Sequence, residues 1–300
     1  MRFPWQQRHY GQRITMGGRD VVVFGMERHY WQDIYYYAMT SSWPQFFLAA
    51  ALVFLSFNLI FASLYMLGDH PIANMAPDNF LGAFFFSVET LATVGYGDMH
   101  PQTVYAHWVS TTEIFVGMAS VALITGVMFA RFSRPRASIL FSQYPVSHVA
   151  DGKQLLLFRI ANARLNIISE ASAKLRMLQD EETTSMGKFR KLTDLRLERD
   201  QHPMFSLGWT IIHVIDANSP LYGKTPEQLK EVNTAFVLTI EGVDETTHQM
   251  QRARQYYPVQ EIRWNHRFVD VLNYQGSVAH LHYQHFHETV AISESAQAGQ

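Results

Sequence analysis

Apolar and polar positions divide this chain into two long blocks with different periods. Between residues 29 and 130 there is no Lys or Arg, although the chain carries 24 of them. Inside that window, residues 34–68 hold no charged residue and no histidine. Residues 46–67 are dense in Phe, Leu, Ala and Ile, a length that crosses about 30 Å of hydrocarbon as a helix. Trp43 and Pro44 precede this run, an interfacial aromatic followed by a proline suited to a first helical turn. The pattern predicts an outer helix over 43–67. Residues 30–42 are aromatic and weakly charged and read as an interfacial slide helix; Pro44 favours a break there over one continuous helix. A second apolar run predicts an inner helix over 103–133, closed by Arg131, Arg134 and Arg136. Between the two spans, residues 80–92 form a short amphipathic stretch that reads as a re-entrant half-helix.

Basic residues flank the start of the first span and the end of the second, which places both termini on the cytoplasmic side of a multi-pass membrane protein. The organisation is therefore a cytoplasmic segment 1–29, the slide helix, and a membrane domain 43–136. From residue 137 the period changes to two. Strands are predicted at 154–163, 167–179, 209–215, 235–242 and 261–271, with turns at Asp151-Gly152, Ser219-Pro220 and Tyr222-Gly223. One short helix is expected at 226–232, with Thr225 as N-cap and Pro226 at the first position. The fold class is thus membrane α with a C-terminal all-β, immunoglobulin-like sandwich over 137–290. Residues 291–300 are expected to be a disordered tail.

Composition narrows the function. At 300 residues there is room for roughly two domains. The net charge of −2 argues against a nucleic-acid partner, and with no cysteine there is no disulfide or thiolate metal site. Residues 1–25 lack a signal-peptide pattern. No nucleophile–base set, phosphate loop or HExxH string is present, so an enzyme reading has no support. His280, His282, His285 and His287 have metal-like spacing, but alternation along a strand explains them more simply.

The half-helix leads into Thr93-Val94-Gly95-Tyr96-Gly97. This string is the known signature of potassium selectivity filters, so its assignment is recognition and not deduction. Its chemistry is still intelligible: dehydrated potassium needs rings of oxygens, and Gly95 and Gly97 permit the turned-in backbone that supplies carbonyls. Further strings extend the likeness. They are Ser87-Val88-Glu89-Thr90, residues 130–135 (ARFSRP), 158–162 (FRIAN), 213–216 (HVID), 219–223 (SPLYG), 251–254 (QRAR) and 262–268 (IRWNHRF). On these the chain resembles the prokaryotic inward-rectifier potassium channels from about residue 31 to 287.

The resemblance implies a homotetramer in a bacterial inner membrane, with four copies of the filter loop closing one pore and sandwiches extending it into the cytoplasm. The expected ligands are permeant K+, with Mg2+ or polyamines as candidate blockers and no cofactor. Glu89 would support the filter from the pore helix; the arginine it meets in eukaryotic relatives is Met99 here. Asp98 would stand at the outer mouth. Gly117 and Gly126 read either as hinges or as close-packing positions, and Phe129 either as a gate or as a lipid- or neighbour-facing residue. Glu241, Val243 and Glu245 match the cytoplasmic pore and its constriction loop, though Glu241 reads equally as a solvated strand-end carboxylate. Arg131, Arg134 and Arg136 either satisfy topology alone or bind anionic lipid headgroups. Val121 replaces the pore-lining acid of strong rectifiers, and Lys188 falls near another acidic family position, so weak rectification is expected. The alternative function is a membrane-anchored sensory or binding module whose pore is incidental; absence of flux with partner binding by the sandwich would favour it.

Overall fold

The structure is a computed structural model describing residues 12–16, 19–24, 33–134, 137–164, 166–184, 187–276 and 278–292. Two compact units divide the chain, one of residues 27–134 and one of residues 1–26 with 135–300.

In the first unit, α1 (Ile34–Thr40) and α2 (Trp43–Tyr65) are separated where the sequence places the break. Ser42 caps α2 in a capping box with Gln45, and Pro44 occupies the first turn, where its missing amide costs nothing. After α2 come α3 (Phe80–Leu91) and the 29-residue α4 (Val104–Phe132). Asn79 caps α3 by accepting from the Leu81 and Gly82 amides. Both α2 and α4 are long and apolar enough to cross a membrane, and little of either is buried within the chain. Phe47, Leu48, Leu52, Phe115, Leu123 and Phe132 are among the exposed apolar side chains, a surface that suits lipid or further protein and not water. The packed part lies where the C-terminal end of α2 meets α3 and the start of α4, with Phe61, Tyr65, Phe86, Leu91 and Ala106 in one cluster.

The second unit is a sandwich of two five-stranded sheets. One runs in the order Gln201–Phe205, Ile168–Thr183, Ala235–Asp244, Met250–Pro258, with Gly187–Leu195 also paired to Ile168–Thr183. The other runs Gly208–Ile215, Lys153–Asn162, Val146–Ala150, Arg263–Trp264, with Ile139–Phe141 on Lys153–Asn162. Alternate residues of facing strands (Phe158, Ile160, Ile211 against Leu175, Met177, Phe236, Leu238) fill the space between the sheets. Phe158 meets Phe236 and Tyr257 in tilted ring contacts, with centroids 6.2 and 5.3 Å apart. The short helix α5 (Pro226–Glu231) has the expected Thr225 cap.

Three expectations change. The strand anticipated over 261–271 is a 3-10 turn (Val259–Glu261) followed by Arg263–Trp264 and His266–Phe268. Asn265 at φ 55° breaks the run, and its amide donates to the Ser147 carbonyl, so the chain changes partners there. Thr289–Ala291 is a strand paired with His266–Phe268, so order reaches past residue 290; residues 293–300 lie outside the described residues. In the N-terminal segment, Gln12–Met16 and Arg19–Val23 pair as an antiparallel hairpin that the sequence reading does not contain.

Candidate functional site

α3 ends at Leu91, and the chain turns at once into residues 93–97. The Thr93 amide still bonds the Thr90 carbonyl, while the Val94 amide reaches the Glu89 carbonyl at 2.8 Å. Thr93, Gly95 and Gly97 then adopt φ of 56°, 54° and 87°, whereas Val94 and Tyr96 keep ordinary negative values. Alternation between left- and right-handed backbone turns successive carbonyls toward one side, instead of to opposite sides as in a strand. A threonine at positive φ is disfavoured, and such outliers concentrate at functional sites. All five residues are exposed in the single chain. The C-terminal end of α3, where the helix dipole is negative, lies directly before them and favours a cation.

Glu89 is half-buried on α3. Its backbone carbonyl accepts the Val94 and Gly95 amides, so these amides are not donors to its carboxylate. Asp98 is exposed and its carbonyl accepts from the Asn74 amide group at 3.1 Å.

On α4, a Cβ built at Gly117 would collide with the Leu91 carbonyl oxygen, whereas at Gly126 it would meet nothing within 4 Å among the described residues. Gly117 thus has a packing reason to be glycine, and Gly126 has none of that kind. Val121 and Phe129 are 60% and 73% exposed, on surface left free in the single chain. Arg131 bends back instead of projecting outward. Its guanidinium donates to the carbonyls of Ala38 and Ser41 and to Ser41 Oγ, and lies 4.5 and 4.8 Å from the Trp43 and Phe46 rings. It thereby caps the C-terminal end of α1 and joins α1, α2 and α4. Arg134 donates to the Met39 carbonyl at 3.0 Å, and Arg136 lies outside the described residues.

In the sandwich unit, Glu241 pairs with Arg252 and, at 3.4 Å, with Lys174. Partial burial works to raise its carboxyl, but these two cations hold it below the usual carboxylate range. Val243 is half-buried beside a bulge in its strand, and exposed Glu245 accepts from Ser169 Oγ. Asp244 is buried and accepts from the Thr246 and Thr247 amides, Asn166 and Gln251, which fixes the 242–247 turn. Burial would raise its carboxyl; the donors outweigh this and hold it low. Lys188 is exposed and 3.8 Å from Glu182 across a hairpin. His285 pairs with Glu288, and His287 accepts from the Gln143 amide. Among the described residues no group of acids and histidines could hold a metal ion.

One cluster escapes the sequence reading. Glu113 of α4 is fully buried and accepts from the Tyr65 hydroxyl of α2 at 2.7 Å and from Ser87 Oγ of α3 at 2.5 Å. Ser87 Oγ also lies 3.1 Å from Asn58 Oδ1. A glutamate within an otherwise apolar span was the available signal.

Comparison with known proteins gives two family matches: "Inward rectifier potassium channel C-terminal domain" over residues 139–299 and "Ion channel" over 46–134. The chain is 38% identical over 256 residues to inward rectifier potassium channel Kirbac3.1 of Paramagnetospirillum magnetotacticum, covering 85% of this chain and 87% of that protein. It is 33% identical over 236 residues to human inward rectifier potassium channel 4, covering 73% of this chain and 51% of that protein. It is 32% identical over 228 residues to the bovine G protein-activated inward rectifier potassium channel 1, covering 71% and 44%. The chain therefore spans about half the length of these mammalian relatives.

Proposed function

We propose, for a chain that belongs to the inward rectifier potassium channel family, that it works as a homotetrameric potassium-selective pore. It is a membrane protein of an ion-channel family and not an enzyme. The observation that carries the reading is the alternating backbone at Thr93, Gly95 and Gly97 directly after α3. Rings of carbonyls from that backbone would replace the water of a potassium ion. Among the described residues one chain supplies one such loop and two helices long enough to span, so a closed ring needs several copies under cyclic symmetry, and four is the family solution.

The remaining roles follow from position. Both termini lie in the cytoplasm of a bacterial cell, the basic side of the charge-segregated sequence. Movement of the cytoplasmic end of α4, with Gly126 free to flex and Phe129 as a dewetting gate, opens and closes the pore. Val243 and Glu245 line the cytoplasmic constriction, and Asp98 draws cations to the mouth. Anionic lipid headgroups engage Arg134 and Arg136, while Arg131 commits three of its five N–H donors to Ala38 and Ser41. Rectification is weak: Val121 offers no charge to Mg2+ or polyamines, and Glu241 is compensated by Lys174 and Arg252. Purified protein in liposomes is expected to pass rubidium and potassium far faster than sodium; equal sodium flux through active protein overturns the proposal.

A further inference from the structure

The buried carboxyl of Glu113 has no evident place in conduction, yet an acid at membrane depth is costly and is kept where it does something. Among the described residues no ion pair of Glu113 is recorded, and no Lys or Arg occurs between residues 29 and 130. Both of its recorded partners are hydroxyls, one on each neighbouring helix. The spacing of the contacts is informative. Glu113 and Gly117 stand one turn apart on α4, and they meet Ser87 and Leu91, which stand one turn apart on α3. α4 therefore grips α3 at two successive turns, through a hydrogen bond at the first and through backbone contact at the second. The second grip falls on the last residue of α3, immediately before the turn into Thr93. Tyr65 ties the same carboxyl to α2, so α3 cannot slide along its axis without breaking polar contacts in a site that holds no replacement donor from the sequence's basic residues.

We infer that Glu113 is a positioning residue for ion discrimination: through Ser87, and with Gly117, it sets the height of α3 and hence the carbonyl spacing of residues 93–97. This rests on the filter reading above and names the support that filter uses. The hydrogen bonds, and not a charge, do the positioning, so a side chain of the same shape with donor and acceptor groups should substitute.

The test is the potassium-to-sodium permeability ratio from bi-ionic reversal potentials of the full-length channel in bilayers. A loss of folded or active channels lowers current without moving that ratio. Glu113→Gln is expected to stay within about twofold of the parent, because glutamine can still bond both hydroxyls. Tyr65→Phe and Ser87→Ala are each expected to lower the ratio by roughly three- to tenfold, the effect of one lost buried hydrogen bond, and Glu113→Ala, which removes both, by at least as much. If Glu113→Ala fails to assemble, Tyr65→Phe and Ser87→Ala, which remove one hydroxyl each, still decide the matter. An unchanged ratio in the two hydroxyl variants overturns the inference, as does a Gln variant as impaired as the Ala variant. A parent channel that does not discriminate at all instead removes the filter reading itself.

Discussion

Arg131 separates two readings that the sequence leaves together, a lipid-binding cation and a structural brace. Its fork makes three hydrogen bonds to the last turn of α1 and the following serine, and its face lies on two aromatic rings. A hydrogen bond to a charged group contributes about 1.5–3 kcal/mol, and an exposed cation–π contact about 0.5–1 kcal/mol. Arg131 is half-buried, so solvent screening reduces the sum; Arg131→Ala should cost roughly 3–5 kcal/mol of α1–α4 association. Arg131→Lys is the sharper perturbation. It keeps the charge that a lipid headgroup would sense but loses the planar fork that spans two carbonyls at once, for a cost of about 2 kcal/mol. The assay is melting of the intact oligomer in detergent, paired with liposome flux at increasing content of anionic lipid. The expected result is a lysine variant that melts several degrees below the parent while its flux keeps the parent's response to anionic lipid. A lysine variant with parental melting would refute the brace. One that melts normally but loses its lipid response would place Arg131 among the headgroup contacts instead.

Two further tests concern the pore and the sandwich. Val121→Glu should confer block by internal polyamines, raising their apparent affinity at least about tenfold, since in the proposed tetramer four carboxylates on one ring need supply only about 1.4 kcal/mol together; unchanged current–voltage curves with internal spermine would remove Val121 from the pore lining. His213 is buried, its Nδ1 at 2.6 Å from the Arg196 carbonyl and its Nε2 at 2.8 Å from Ser219 Oγ, and burial holds its imidazole below the usual histidine range. Because the folded value is the lower one, its contribution is full above about pH 6.5 and is lost as pH falls through the folded value; melting of the full chain should decline with acid in that window, and less so in His213→Gln, with identical pH slopes refuting the assignment.

What was legible in the sequence depended on how locally each feature is specified. The start of helix α2 could be placed because its signals are contiguous: an interfacial tryptophan, a proline in the first turn and the apolar run that follows. Residues 93–97 stand out in the sequence because a short string carries the whole of the chemistry proposed for them, and the positive φ of Thr93, Gly95 and Gly97 is the backbone that string leads one to expect. The hairpin that extends Ile168–Thr183 into Gly187–Leu195 was missed for the opposite reason. The sequence reading ends that strand at residue 179, and only the facing strand, with Lys191 2.9 Å from Glu181, carries it on through Asp180, Glu181 and Glu182. Cross-strand charge pairs of this kind carry no sign of their partner in the local pattern.

The same argument explains why Gly117 stayed ambiguous and Glu113 stayed silent. A glycine in a span can serve flexibility or contact, and sequence alone gives both the same letter. The Leu91 carbonyl resolves Gly117 in favour of contact, which shifts any hinge toward Gly126, one residue type with opposite surroundings at the two places. Glu113 lies 26 residues from Ser87 and 48 from Tyr65, so its satisfaction depends entirely on how three helices meet. Both residues belong to one face of the upper part of α4, which holds α3 still, whereas Gly126 and Phe129 belong to its lower part, where nothing among the described residues of the chain packs against the glycine. A single helix thus carries a segment held against α3 at Glu113 and Gly117 and a stretch around Gly126 without that contact, before Arg131 ties its end to α1; under the proposed function, selectivity and gating would be separable along that one element.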